Sequence, residues 1–357
     1  MLELRGAVSM KRHGLISTLT LLAIASLTLE ASAQGQDQIY PHRGSPASGV
    51  IMEVSITEVV LDVRGTQRAI PVNEIKRVAF GDDTPELRRA REDVLSGQLA
   101  NGLDELKKIN PADIDRDLVR ADLQYYIAYC QGKLALSGGG DKAAAQAAMY
   151  DFIRQNPQTF HFFEAAQLLG DLAAAQEDYA GAVRFYSAIG AKSPWPSYQM
   201  LALVLEARAL IAQGKYPEAK AKFESVLGMS VDTAEATQQK LLAQVGQVVC
   251  MAEMGQHEEG IRILEGIIAK NDPQNVELFG RAYNAMGRCH LKAQRTKDAL
   301  LAYLHVDVLF YTNPEVHAEA LHFLAKLWND VNQSERAVNA RNMLLERYAG
   351  SVWAKRS

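Results

Sequence analysis

The sequence predicts a mainly α protein: an α-solenoid of about seven helix pairs at 84–357, preceded by a small four-stranded β segment at 49–82. Three observations lead there. Small residues and rings recur at fixed offsets through the C-terminal half. Within each period two amphipathic helical patterns meet at a short break such as Gln213-Gly214-Lys215. Upstream of Phe80 the pattern changes to short β-rich runs.

The stretch Gln199–Asp232 shows the repeat most plainly, with Ala207, Ala219, Phe223 and Val226 at its crossing. Two helices pack closely only where a residue such as Ala or Gly sits between them, and a large ring then fills the space beside it. Gly170, Ala182, Tyr186 and Ile189 keep the same spacing, as do Val248, Gly260, Leu264 and Ile267. Gly287, Ala299, Tyr303 and Val306 follow, and Ala325, Ala337, Arg341 and Leu344 close the series. Val248 breaks the small-residue preference, with Gly260 opposite to relieve it, and Arg341 suits a terminal unit that faces water. Successive units are roughly 37–41 residues apart. The pattern resembles the tetratricopeptide repeat, a helix–turn–helix unit of about 34 residues, over Phe163–Ser351. The resemblance implies a concave wall made from the first helix of each unit.

In chain order, Lys11-Arg12-His13 precede the apolar run Leu15–Leu29, and Ala31-Ser32-Ala33 follow it. This reads as a signal peptide at 1–33, cleaved after Ala33, which places the mature chain in a periplasm or outside the cell. The apolar run is too short to span a bilayer, so no stable membrane insertion is expected. Polar residues with Gly, Pro and Ser at 34–48 read as a disordered leader. Val50–Ile56, Val59–Val63, Arg68–Ile70 and Ile75–Phe80 are the four strand candidates, forming an SH3-like barrel or a curled sheet. Thr84 and Pro85 mark the first helix start, and Asp141 caps another after Gly138-Gly139-Gly140.

Candidate chemistry is sparse. Lys142 is followed by Ala143 and helices flank the glycines, which excludes a phosphate loop. The histidines show no ligand spacing: His317 and His322 stand five apart, not on one helix face. No nucleophile elbow or paired carboxylates stand out, so no catalytic, cofactor or metal role is assigned and the chain reads as non-catalytic. A formal net charge of −4 disfavours nucleic acid as a partner. Cys130, Cys250 and Cys289 occupy one equivalent inward place in three units, too far apart to pair, so all three should be free and buried. Trp353 is expected to cover the solenoid end.

The tetratricopeptide resemblance implies an interaction scaffold that binds a protein or peptide in its concave groove. A structural subunit that self-assembles through the β segment or the solenoid ends, as a homo-oligomer, is the alternative. The first-helix faces carry Arg208, Arg281, Asn284, Arg288, Lys292, His322 and Lys326, with Leu201, Val204, Leu242 and Val245 between. These residues describe a groove that is apolar in the middle and basic toward its C-terminal side, suited to an acidic or carboxylate-terminated segment. The competing reading is that the charges pair among themselves.

Overall fold

The computed structural model describes residues 35–357, so the leader read at 1–33 lies outside them. The β segment has five strands: β1 (Asp37–Pro41), β2 (Ala47–Val54), β3 (Glu58–Val63), β4 (Thr66–Pro71) and β5 (Ile75–Ala79). All pairs are antiparallel, in the order β4-β3-β2-β1-β5. A 3₁₀ turn at Val72–Glu74 joins β4 to β5, and β2 shifts register at Met52, where the sheet curls. The extra strand corrects two expectations, a four-stranded segment and a disordered leader at 34–48. Strand β1 lies inside that leader and pairs with two neighbours.

The reason is Asp37. It points inward beside Ile39, and both are almost wholly buried, so a carboxylate stands where an alternating strand would show an apolar residue. Its oxygens accept from Ile51 N at 2.8 Å and Gly81 N at 2.9 Å. They also accept both ends of the Arg116 guanidinium, at 2.8 and 2.9 Å, and Arg116 donates to Ile51 O at 3.2 Å. A bidentate, charge-assisted pair of this kind fixes orientation as well as energy. One side chain thus ties β1, β2 and the end of β5 to the helical part.

The helices form seven pairs: α1 (Pro85–Leu95) with α2 (Leu99–Lys108), α3 (Asp117–Ser137) with α4 (Lys142–Gln155), and α5 (Phe162–Ala175) with α6 (Tyr179–Lys192). The series continues with α7 (Pro196–Ala212) and α8 (Tyr216–Leu227), then α9 (Ala234–Glu253) and α10 (His257–Lys270). It ends with α11 (Val276–Lys292) and α12 (Thr296–Leu309), α13 (Pro314–Asp330) and α14 (Ser334–Arg347), and the short α15 (Val352–Lys355). Thr84 and Asp141 cap α1 and α4 through their side chains. The crossings are as tight as the spacing requires. A Cβ added at Gly170 would lie 2.2 Å from the Tyr186 ring, and one at Gly287 would lie 2.6 Å from Tyr303. At Gly260 it would meet Val248 at 2.7 Å, so the large and small partners have exchanged sides there. The turn inside each of these five units needs a left-handed residue at one place: Glu177, Gly214, Gly255, Gln294 or Asn332.

The array curls back on itself. Gly138, left-handed at the end of α3, lies against Gly350, where a Cβ would stand 2.5 Å from Gly138 N and from Leu136 O. Lys355 donates to Ala175 O at 3.1 Å and Arg356 to Tyr179 Oη at 3.3 Å, so the C-terminal turn touches the α5–α6 turn as well. Trp353 packs on His322 and Phe323. All three cysteines are free and buried, and burial pushes Cys130 and Cys250 up to about 12 and Cys289 to about 11. Among the described residues no helix is long and apolar enough to cross a membrane.

Asp37→Ala should lower unfolding free energy by about 3–5 kcal/mol, because it leaves Arg116 and two backbone donors without their partner. Urea unfolding checks this, and a loss below about 1 kcal/mol would show that the sheet is held by its apolar contacts alone.

Candidate functional site

First helices neighbour one another, α7 on α9, α9 on α11 and α11 on α13, and their free faces form an inner wall. Its curvature is tight enough that Arg208 of α7 reaches past α9 to Glu277 of α11, with Nη2 3.4 Å from Oε1. Arg281 donates to Glu277 at 2.9 Å and to Glu315 of α13 at 2.6 Å. Arg288 lies between Glu253 of α9, at 3.1 Å, and Glu319 of α13, at 3.3 Å. Lys292 joins Glu253 at 2.6 Å. The four cations therefore share four glutamates, mostly across helices, and Arg281 with Glu277 is the one pair among them that follows a single helix.

This corrects the expected basic strip. The expected strip counts cations alone, whereas Glu253, Glu277, Glu315 and Glu319 stand among them. Asn284 is buried, donating to Val316 O at 2.9 Å and to Glu319 at 3.2 Å, so it braces α11 against α13. His322 is also buried, bonded to Ser357 Oγ at 2.9 Å, and burial with the Lys326 charge pushes it down to about 4. Lys326 itself is exposed. Val204, Leu242 and Val245 are buried between helices, while Leu201 stays half-buried at the wall. Glu315 is held at about 2, above all by the Arg281 charge. Farther in, Asp171 of α5 accepts from Tyr186 at 2.8 Å, and burial pushes it up to about 6.

The inner wall continues into a cavity of about 190 Å³ between the sheet and α3, α5 and α7. Beneath it runs a buried chain of charges. Asp83 pairs with Arg91, Arg91 Nε lies 2.6 Å from Asp122, and Asp122 Oδ1 is 2.8 Å from His161 Nε2. His161 Nδ1 is 3.7 Å from Glu164, whose carboxylate also accepts from Tyr125 at 2.7 Å. The Tyr125 ring stacks on His161 at 3.6 Å between centroids. Nothing in the sequence singles out His161 or Glu164, which have no motif spacing. Their one signal is the pair of acidic residues, Asp122 and Glu164, each helical and each near a turn of aromatic residues. Among the described residues no cluster of His, Cys, Asp or Glu could hold a metal ion. His317 is bonded to Asp307 and Tyr348 at 2.8 and 2.7 Å.

No family model matches the chain, and no curated protein does. Solved structures do match. A tetratricopeptide repeat protein from Parabacteroides merdae superposes with a TM-score of 0.52 at 14% identity, covering 73% of this chain and 91% of that one. The apo form of the quorum sensor NprR from B. thuringiensis gives 0.51 at 14% identity, covering 73% and 74%. The fold is that of the tetratricopeptide-repeat proteins. Within this TPR array the inner wall is the face that the first helices supply, with a charge-balanced C-terminal half and an aromatic pocket at its N-terminal end.

The buried chain has a definite pH signature. Burial alone would lower His161, but its bonds to Asp122 and Glu164 outweigh that and hold it above 6.5. Its pairing therefore stabilises the fold fully below pH 6.5 and is lost as pH rises through the folded value. Glu164 runs the other way: burial opposes ionisation, yet His161 holds it below 4.5, so its contribution is lost on acidification. His161→Gln should lower the melting temperature more at pH 6 than at pH 8.5. An equal loss at both would mean that the imidazole is neutral in the fold.

Proposed function

We propose that the chain is an exported, non-catalytic protein-interaction scaffold that binds a protein or peptide on the inner wall of its TPR array. The observation that supports this most is the tight inner wall itself, where Arg208 and Glu277 meet across an intervening helix and polar side chains, not core residues, line the enclosed face. Side chains that satisfy each other in the free protein can exchange partners with a ligand where the displaced group returns to water, as Glu315 can, since its side chain is 65% exposed against 15% for Arg281. Export rests on the basic, apolar and Ala-x-Ala sequence of the leader. The cations already have glutamate partners, so an acidic or carboxylate-terminated segment would bind by displacing a glutamate from Arg281 or Arg288. The alternative, self-assembly of the chain, has one observation in its favour. Leu301, Val308 and Leu309 of α12 and Val338 and Leu345 of α14 are large apolar side chains left exposed.

Two variants separate these readings. Arg208→Ala with Arg281→Ala alters the inner wall, and Leu301→Lys with Val308→Lys alters the exposed apolar side chains of α12. Quantitative capture from envelope extract should show a partner that the inner-wall variant retains at least tenfold less well and the α12 variant retains fully. A partner lost only with the α12 variant, or a mass in solution that falls from oligomer to monomer with it, would favour self-assembly.

A further inference from the structure

The pocket at the N-terminal end of the inner wall differs in chemistry from the rest. Four buried groups beneath it and one at its mouth alternate in sign, Asp83, Arg91, Asp122 and His161, then Glu164, so the series begins and ends on a carboxylate. With His161 protonated the five carry one net negative charge, and the end that reaches water is Glu164, whose side chain is 69% exposed and also feels the Lys133 cation beside the Tyr129 ring. Aromatic rings stand around it. Tyr129, Tyr198 and Phe163 line the same cavity, and Tyr198 meets Phe163 at 5.1 Å with Trp195 behind both.

We propose that this pocket receives a cationic side chain of the bound partner, an arginine, between the Glu164 carboxylate and the rings of Tyr129 and Tyr198. The proposal rests on the protein-binding reading above and names the partner chemistry of its N-terminal half. A guanidinium suits the place for three reasons. It pairs with a carboxylate through a planar fork, stacks on aromatic faces and loses less hydration than an ammonium. Tyrosine hydroxyl oxygens at the wall can accept its remaining N–H groups. The molecule already uses one of these faces in the same way, since Lys133 Nζ lies 5.6 Å from the Tyr129 ring centre. Cations of the sheet also reach the rim. Arg77 is engaged by Glu92 and covers the Tyr40 ring at 4.0 Å, whereas Lys76 and His42 are exposed there. Lys76 therefore opposes an incoming cation and would attract an anion, so it reports which sign the pocket selects.

The test uses the full mature chain and two capped pentapeptides, with a central arginine or a central glutamate between glycines. Amide and tyrosine-ring NMR shifts follow the titration. The arginine peptide should give saturable shifts at Tyr129, Glu164 and Tyr198, at least tenfold weaker in Glu164→Gln and also weaker in Tyr198→Leu. Lys76→Ala should bind it as well as or better than the wild type. Absent saturation, equal binding by Glu164→Gln with its fold intact by circular dichroism, or preference for the glutamate peptide would overturn the assignment. Should a natural partner be captured equally by wild type and Glu164→Gln, this pocket is excluded while the scaffold reading stands. Should the pentapeptide bind while no partner depends on the inner wall, the scaffold reading fails and the pocket remains.

Discussion

Each helix pair approaches so closely that one side of the crossing must be nearly bare of side chain. Where Gly170 faces Tyr186 and Gly287 faces Tyr303, a single added methyl group would overlap the ring. Interiors are packed too densely to absorb that without moving a helix. At the Val248–Gly260 crossing the bare residue stands on the second helix instead, which makes room for the larger Val248. Because the crossings repeat along the array, small rotations between neighbouring pairs accumulate in one sense. The chain returns to its own α3–α4 turn as a result, and the Gly138–Gly350 approach closes it.

Curvature also decides the electrostatics. On a straight array Arg208 and Glu277 would be too far apart to meet, yet here they do, and the inner wall becomes a lattice of shared ion pairs. At the other end, the sheet covers Arg91, Asp83 and Asp122, and the only charged member of that series left in water is Glu164. Burying one charge without its partners would cost several kcal/mol, about 3–5 for a broken pair, so the series stands or falls as a unit. The Asp37–Arg116 clamp brings the sheet to this position. Fold and site are therefore linked through charge as much as through apolar packing.

The solenoid was legible because its signal repeats: five crossings with the same offsets leave little freedom in how the helices pack. The sheet was less so, since β1 hides its alternation behind Asp37 and its strand character appears only between β2 and β5. The turns were partly legible. Gly214 and Gly255 announce a left-handed position, but Glu177, Gln294 and Asn332 adopt the same conformation without announcing it. Arg208, Arg281, Arg288 and Lys292 were expected to form a basic strip and instead pair with glutamates. Glu253 and Glu315 come from neighbouring units, where one helical wheel cannot show them, and Glu277 shares α11 with Arg281 but also meets Arg208 from α7. Asn284 and His322 lie on the expected helices but face the next unit and the C-terminal turn. The pocket was not visible at all, because its walls come from the sheet, α3, α5 and α7 together.

Closure of the array underlies both the lattice and the enclosed wall, and it has a direct chemical signature. Gly138 lies against Gly350, and burial together with the charge of Lys355 in α15 lowers Lys142 at the start of α4, so these two ammonium groups lie near one another although their helices are the second pair and the last turn of the array. A short amine-reactive cross-linker applied to the monomeric fraction, followed by peptide mass spectrometry, should join Lys142 to Lys355 within one chain. Modification of both lysines with no link between them, at reagent levels that join other neighbouring lysines, would mean that the array is open in solution.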